Sequence, residues 1–379
     1  MQKSEVPVLI VAGEASGDVH AAKLVREMKA LSDQGKIRFF GAAGEKMRGE
    51  GVEATVRADE LSIVGLLEIG KALPMFFGVY RSLISEADRR GAKFAILVDF
   101  PDFNLKLAKA LKKRGITVVY YISPQIWAWR RYRIRSIKKY ADLVISILPF
   151  EKEWYRKNGV EHVEYVGNPL AMEVHPAISK EEFCKRHGLD PLRPIVSLLP
   201  GSRSAEIARI LPILIETAAL MSAKRPELQF VAALPKGKLS RKIDAPEAVK
   251  WAEGETFDAL NASDAAAITS GTATLEAGII GTPMAIVYRT SAINYKLLRP
   301  LIDVEHFGLI NLIAEKRVAK ELIQDDLTPA ILSKELFRLL DPSVNGSTRN
   351  ELASAVDKLG HGGASKRAAE AILRLIDEN

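Results

Sequence analysis

The chain has 379 residues, 47% of them hydrophobic, enough for a large core and, at this length, for two domains of ordinary size. A formal charge of +7 admits nucleic acid, an anionic membrane surface or an anionic small substrate and does not choose among them. The single cysteine, Cys184, excludes an intrachain disulfide and fits a reducing cytosol.

The opening MQKSEVPVLIVAGEASGD reads as a first strand rather than a secretory signal, because its short apolar run leads straight into glycines and acids. No stretch reaches the ~20 uninterrupted apolar residues of a spanning helix. Short aliphatic and β-branched runs alternate with segments of helical period, the mark of a parallel sheet covered on both faces. Strands are expected at VPVLIVAG, IRFFGAAG, FAILVDF, TVVYYIS, DLVISILP and VEYVGNP. Beyond Pro169 and a polar segment the alternation restarts at PIVSLLPGSR, LQFVAALP, AVKWAEG, AAAITSG and PMAIVYRT. The last helix carries an apolar stripe at Ala368, Ile372, Leu373 and Ile376. The expectation is an α/β protein of two doubly wound, Rossmann-like domains, 1–169 and 170–379, facing a cleft. The terminal helices of the second domain can pack back on the first. Ligands of such sheets sit outside the carboxyl ends of the strands, so the turns there carry the argument.

The first turn, AGEASGDVHAAKLV, spaces Gly13 and Gly17 as G-x-x-x-G and lacks the middle glycine that lets a pyrophosphate approach. Glu14 and Asp18 would repel phosphate. The turn suits sugar hydroxyls, with Ser16 and Asp18 as partners, or is simply a helix start. Residues 61–84, LSIVGLLEIGKALPMFFGVYRSLI, are unusually apolar yet interrupted by Glu68, Gly70, Lys71 and Pro74. They suit an interfacial helix or a pocket for acyl chains, and a buried core helix explains them almost as well.

In FAILVDFPDFN a dry strand ends in two carboxylates. Asp99, at the strand's end, is placed to take a proton from an attacking hydroxyl. Asp102, just ahead of a helical segment, is expected to be that helix's N-cap. The stretch YYISPQIWAWRRYRIRSIKKY sets Trp127 and Trp129 against Arg130, Arg131, Arg133, Arg135, Lys138 and Lys139. That fits a membrane interface, or a solvated basic helix with core tryptophans, and no nucleic-acid module is recognisable.

In LLPGSRSAEI a Pro-Gly turn leads into a helix that Ser202 or Ser204 could cap, with Arg203 at its N-terminus as an anion ligand. In SGTATLEA, Ser270, Gly271 and Thr272 form a turn fit for a diphosphate, and Glu276 stands a turn later to accept from ribose hydroxyls. The bland alternative is a cap by Thr272, with Glu276 serving the helix dipole. The histidines show no paired ligand spacing, and no metal is expected.

Taken in order, VAGEASGD, VDFPDFN, SPQIWAW, LPFEKEWY, LLPGSRSAEI, SGTATLEA and INLIAEKRVAKELIQ resemble the motifs of the lipid-A-disaccharide synthases, from about residue 8 to the last helix. The resemblance implies an inverting glycosyltransferase of the two-domain GT-B type, peripheral on the cytoplasmic face of the inner membrane. It implies transfer of 2,3-diacylglucosamine from UDP to the 6-hydroxyl of 2,3-diacylglucosamine 1-phosphate, with no cofactor. Carried over by position, the essential carboxylate falls on Asp99. The UDP and diphosphate ligands fall on Arg203, Ser270, Gly271, Thr272, Glu276 and Asn311. Sugar contacts are expected at Glu14, Ser16, Asp18 and Gln125. Membrane or acyl contacts are expected at Leu66, Leu67, Met75, Phe76, Phe77, Trp127, Trp129, Arg130 and Arg131. The partners expected are the acylated substrates and an anionic membrane surface, not nucleic acid, with a homodimer left open. The chain departs from the family at Ile310, where proline is common, at Glu315, where glycine is usual nearby, and at Asn168, where histidine is common. The rival readings are a UDP-sugar 2-epimerase or hydrolase on the same architecture, and a non-catalytic nucleotide-sugar-binding protein.

Overall fold

A computed structural model describes residues 5–32, 36–58, 69–238, 245–292, 295–296 and 304–378. The chain divides into two compact units, Met1–Pro169 together with Gly362–Asn379, and Leu170–His361.

The first unit holds a parallel sheet of seven strands: β1 (Val6–Ala12), β2 (Ile37–Ala43), β3 (Glu53–Arg57), β4 (Phe94–Val98), β5 (Thr117–Tyr121), β6 (Leu143–Ser146) and β7 (Val163–Tyr165). Their order is β3-β2-β1-β4-β5-β6-β7. Alternation along β1 explains the layers. Val8, Ile10 and Ala12 face a core shared with the helices Ala15–Leu31 and Ala364–Asp377, while Leu9 and Val11 face one shared with Ile69–Arg90 and Pro101–Lys112. In the last helix the stripe Ala368, Ile372 and Ile376 is buried in the first of these cores. Each fully buried aliphatic side chain contributes roughly 1.5–3 kcal/mol.

The second unit repeats the plan with six parallel strands: β8 (Ile195–Leu199), β9 (Gln229–Leu234), β10 (Val249–Glu253), β11 (Ala265–Thr269), β12 (Met284–Tyr288) and β13 (Lys320–Ile323). Their order is β10-β9-β8-β11-β12-β13. β3 and β13 escape the sequence reading because both are edge strands, short and half-exposed, with little apolar content to give them a period.

In each unit the winding reverses between the first strand and the fourth, at β1/β4 and at β8/β11. Register sets these ends level: Ala12 pairs with Val98, and Leu199 with Ile268. The turns after these four strands therefore flank the two topological switch points, where doubly wound sheets bind ligands.

Candidate active site

Asp99 follows β4 at the first switch point, and its backbone is unusual. Both Asp99 and Phe100 lie in the left-handed region, at φ 46° each. For a phenylalanine that conformation is strained, and such strain persists only where the surroundings impose it. Three hydrogen bonds do so here. The Asp99 N–H donates to the Tyr121 carbonyl at 3.0 Å, while the Asp99 carbonyl accepts from Tyr120 Oη at 2.7 Å and from Asn104 Nδ2 at 2.9 Å. Asn104 is wholly buried and also donates to the Val98 carbonyl. Asn104 lies within VDFPDFN, and no role for it is expected from the sequence. Its signal was an amide at the one place in the first turn from which it reaches back over the strand end.

The carboxyl of Asp99 is pushed up to about 6, first by burial, then by the charge of Glu14, against the opposing Phe100 N–H. Glu14 ends the neighbouring turn, so the switch point holds two carboxylates, and the charge of Glu14 discourages the ionisation of Asp99. The Phe100 ring lies over Gly13, where any side chain would collide with it at 2.4 Å. From there an aromatic surface continues: Phe100 to Phe103 at 5.6 Å, and Phe76 to Phe100 at 6.2 Å and to Phe103 at 6.3 Å. Phe76 and Met75 are half-buried, and Phe77 is 53% exposed with Arg81 over its ring. Leu66 and Leu67 lie outside the described residues.

Several expectations for this unit are corrected. Asp18 does not face a sugar. It is buried, and its carboxylate accepts the backbone N–H groups of Gly44, Lys46 and Met47 at 2.8–3.2 Å, holding the start of the helix Glu45–Gly49. Asp102 is not an N-cap, because the cap position is Phe100. Its carboxylate instead meets Arg130 Nη1 at 3.0 Å and the guanidinium of Arg133. Trp127 offers nothing to a membrane. It is buried edge-on to Phe150 and donates Nε1 to Glu151 at 3.0 Å. Glu151, buried and pushed up to about 7 mainly by desolvation, also accepts the Leu148 and Ile147 N–H groups. It thereby joins the SPQIWAW loop to the end of β6. The guanidinium of Arg130 is held by Asp102 and by the Trp129 ring, 4.2 Å away. Glu14, Ser16, Gln125, Trp129 and Arg131 remain exposed.

At the second switch point Thr269 Oγ1 donates to the Leu199 carbonyl at 3.0 Å, tying β11 to the end of β8. After β8, Gly201 takes φ 111° and Arg203 stands at the N-cap of the helix Ser204–Lys224, its side chain 78% exposed. Neither serine caps this helix. Glu206 folds back instead, accepting the Ser202 and Arg203 N–H groups at 3.2 Å each and Arg203 Nη1 at 3.1 Å. The donors of this turn are thus met by the chain's own Glu206 carboxylate. Lys238 Nζ reaches Ser204 Oγ at 3.1 Å and adds a second cation to the same turn.

After β11, Gly271 at φ 147° is the N-cap of the helix Thr272–Ile280, and no side chain caps it. The bland reading in which Thr272 caps is thus set aside. Space lies open where a Gly271 side chain would stand. Glu276 is half-buried, raised by desolvation, and has no hydrogen-bond partner among the described residues. Ser270 has one, since its Oγ donates to the Phe307 carbonyl at 2.7 Å.

Asn311 is also corrected. It is wholly buried, donates Nδ2 to the Ala319 carbonyl and to Glu321, and accepts the Ala319 N–H, so its amide is spent within the protein. Glu321, unassigned from sequence, accepts the Phe307 and Gly308 N–H groups and so fixes the segment that Ser270 touches. Ile310 is buried and its methyl closes on Gly278. Glu315 is the C-cap of Leu309–Ala314 at φ 58°, a position glycine takes without strain. Asn168 is buried and donates to the Ile147 carbonyl.

Among solved structures, the fold resembles the UDP-GlcNAc 2-epimerase from Neisseria meningitidis bound to UDP-GlcNAc. The TM-score is 0.66 at 12% identity, covering 97% of this chain and 100% of that one. It also resembles the calicheamicin glycosyltransferase, with TM-score 0.59, 14% identity and 99% of both chains covered. These likenesses establish a two-sheet α/β fold of the GT-B type. In sequence, the lipid-A-disaccharide synthase of Myxococcus xanthus is 42% identical over 378 residues, and that of Geobacter metallireducens 41% over 376, each with 97% of both chains covered. Residues 8–375 match the lipid-A-disaccharide synthetase family. The chain belongs to that family of glycosyltransferases.

Proposed function

We propose that this enzyme transfers 2,3-diacylglucosamine from UDP to the 6-hydroxyl of 2,3-diacylglucosamine 1-phosphate, releasing UDP and the β-1,6 disaccharide 1-phosphate. The observation that carries this reading is a desolvated carboxylate at a switch point, Asp99, set against the aromatic surface of Phe76, Phe100 and Phe103. A base beside a greasy wall suits a sugar hydroxyl whose carrier bears acyl chains. A UDP-sugar epimerase on the same fold has no use for that wall.

Asp99 takes the 6-hydroxyl proton as that oxygen attacks the anomeric carbon. The new C–O bond forms as the bond to the UDP phosphate oxygen breaks, and the electron pair leaves on the diphosphate. One displacement inverts the centre. Charge growing on the leaving diphosphate is met by Arg203, by the N–H groups at Gly271–Thr272, which no side chain among the described residues caps, and by the helix dipole there, without a metal. Glu276, half-buried and without a hydrogen-bond partner among the described residues, accepts from the ribose hydroxyls. Glu14, Ser16 and Gln125 are left as sugar contacts.

No helix of the described residues is long and apolar enough to cross a membrane. Peripheral contact at the cytoplasmic face of the inner membrane is proposed instead, through exposed Phe77, Trp129 and Tyr132. The test incubates purified protein with UDP-diacylglucosamine and the acylated acceptor in the presence of a chelator. Disaccharide and UDP in equal amounts are expected, and much less product from a deacylated donor. Release of UDP by hydrolysis of the UDP-sugar without disaccharide, or equal use of the deacylated donor, would contradict the reading.

A further inference from the structure

The pair Arg130 and Arg133 is left over from the chemistry above, and the fold goes to some expense to assemble it. Arg130 sits in the left-handed region at φ 57°, at the head of the short 3-10 helix Arg131–Arg133. Its guanidinium carbon lies over the Trp129 ring, 4.2 Å from the centroid. Arg133 is buried, with 9% of its side chain exposed. Both converge on the Asp102 carboxylate, whose side chain is 73% exposed. Burying one arginine and straining another to neutralise a single exposed carboxylate is a poor bargain for stability alone, because exposed pairs contribute little.

The charges do not cancel. Two guanidinium groups against one carboxylate leave a unit of positive charge. Nε and Nη2 of Arg130, and Nε and Nη1 of Arg133, donate to no group among the described residues. The Arg130 side chain is 35% exposed, so solvent reaches it. The position is also informative. Asp102 lies three residues from Asp99, at most about 11 Å along the chain, the scale of one sugar ring with its substituents. The buried Tyr120 hydroxyl, which holds the Asp99 carbonyl, feels the charges of Asp99, Arg133 and Asp102 together.

We infer that Arg130 and Arg133, steadied by Asp102 and Trp129, form a seat for the phosphate monoester of the acceptor sugar, with its free hydroxyl turned towards Asp99. The inference rests on the proposed reaction for the identity of the acceptor. Planar guanidinium groups bind phosphate in two-pronged fashion, which fixes orientation as well as affinity. An acceptor anchored at one end by its phosphate presents the other end to the base. Asp102 keeps the two arginines together when the seat is empty, and its negative charge opposes the incoming phosphate.

The signs of the variants separate this seat from a mere strut. Arg130→Gln is expected to weaken equilibrium binding of the phosphorylated acceptor, measured by calorimetry, by roughly 10–100-fold. The preference for phosphorylated over dephosphorylated acceptor falls by the same factor. Asp102→Asn, which removes a charge but no phosphate ligand, is expected to keep or raise that preference. A strut would make both variants lose stability together and leave the preference where it was, and that result overturns the inference. Vesicles of anionic phospholipid supply the other arm. If Arg130→Gln loses vesicle binding and keeps its preference between acceptors, the arginines serve lipid headgroups and the seat is refuted. Should the wild-type protein prefer the phosphorylated acceptor in binding yet make no disaccharide, the reaction is wrong and the seat stands.

Discussion

Replacing Asp99 by asparagine should stabilise the protein while removing its base. Burial and the Glu14 charge move the Asp99 carboxyl from its ordinary 3.8 to about 6. A group raised on folding contributes its full stability below the unfolded value and loses it as pH rises through the folded one. At neutral pH the ionised form therefore costs the fold up to about 3 kcal/mol, at 1.36 kcal/mol per pH unit. Partial solvent access reduces this to about 1–3 kcal/mol. Asparagine keeps the shape, carries no charge and tolerates the left-handed backbone that Asp99 adopts at φ 46°. The gain should raise the melting temperature at pH 7.5 by roughly 3–8 °C. At pH 4.5, where the wild-type carboxyl is protonated in the folded state, the difference should fall to about a third of that. Thermal unfolding of both proteins at the two pH values measures it. A variant no more stable at pH 7.5, or a gain independent of pH, would refute the claim that Asp99 is held against its ionisation.

The same placement predicts kinetics: kcat/KM should rise with pH through an acid limb near 6, the protonation of Asp99 in the free enzyme. Glu14→Gln removes a charge that raises that value, so the limb should move to lower pH, and an unmoved limb would separate Glu14 from Asp99. Glu315→Gly should stabilise the second unit by about 1 kcal/mol in denaturant titrations, because it relieves a left-handed side chain at a helix C-cap. Asn311→Ala leaves the Ala319 N–H and carbonyl without the buried amide that meets them, takes one of several hydrogen bonds from Glu321, and should cost about 2–4 kcal/mol. UDP affinity of the folded Asn311→Ala protein should stay within about threefold, since the amide is already spent.

What the sequence disclosed was set by how local each feature is. Strands buried on both faces, such as β4 and β8, announce themselves as unbroken apolar runs. Asp99 and the Ser270–Thr272 turn follow, because a strand's end is a local fact. The role of a polar side chain is not local. Asp18 looked available for a sugar, and only the arrival of the backbone at Gly44–Met47 shows it to be occupied. Asn311 and Trp127 were misplaced for the same reason, since Ala319 and Glu151 reach them through the fold. Glu206, by contrast, was visible three residues after Arg203 and was passed over in favour of the serines, which are the commoner caps.

The most direct test of the division of labour is to measure transfer and UDP binding on one preparation of Asp99→Asn. If Asp99 acts as the base and the nucleotide is held by the turns at Arg203 and Gly271, transfer should fall at least about 100-fold, while the UDP dissociation constant changes less than about twofold. Transfer retained near the wild-type rate, or UDP affinity lost along with it, would contradict the account.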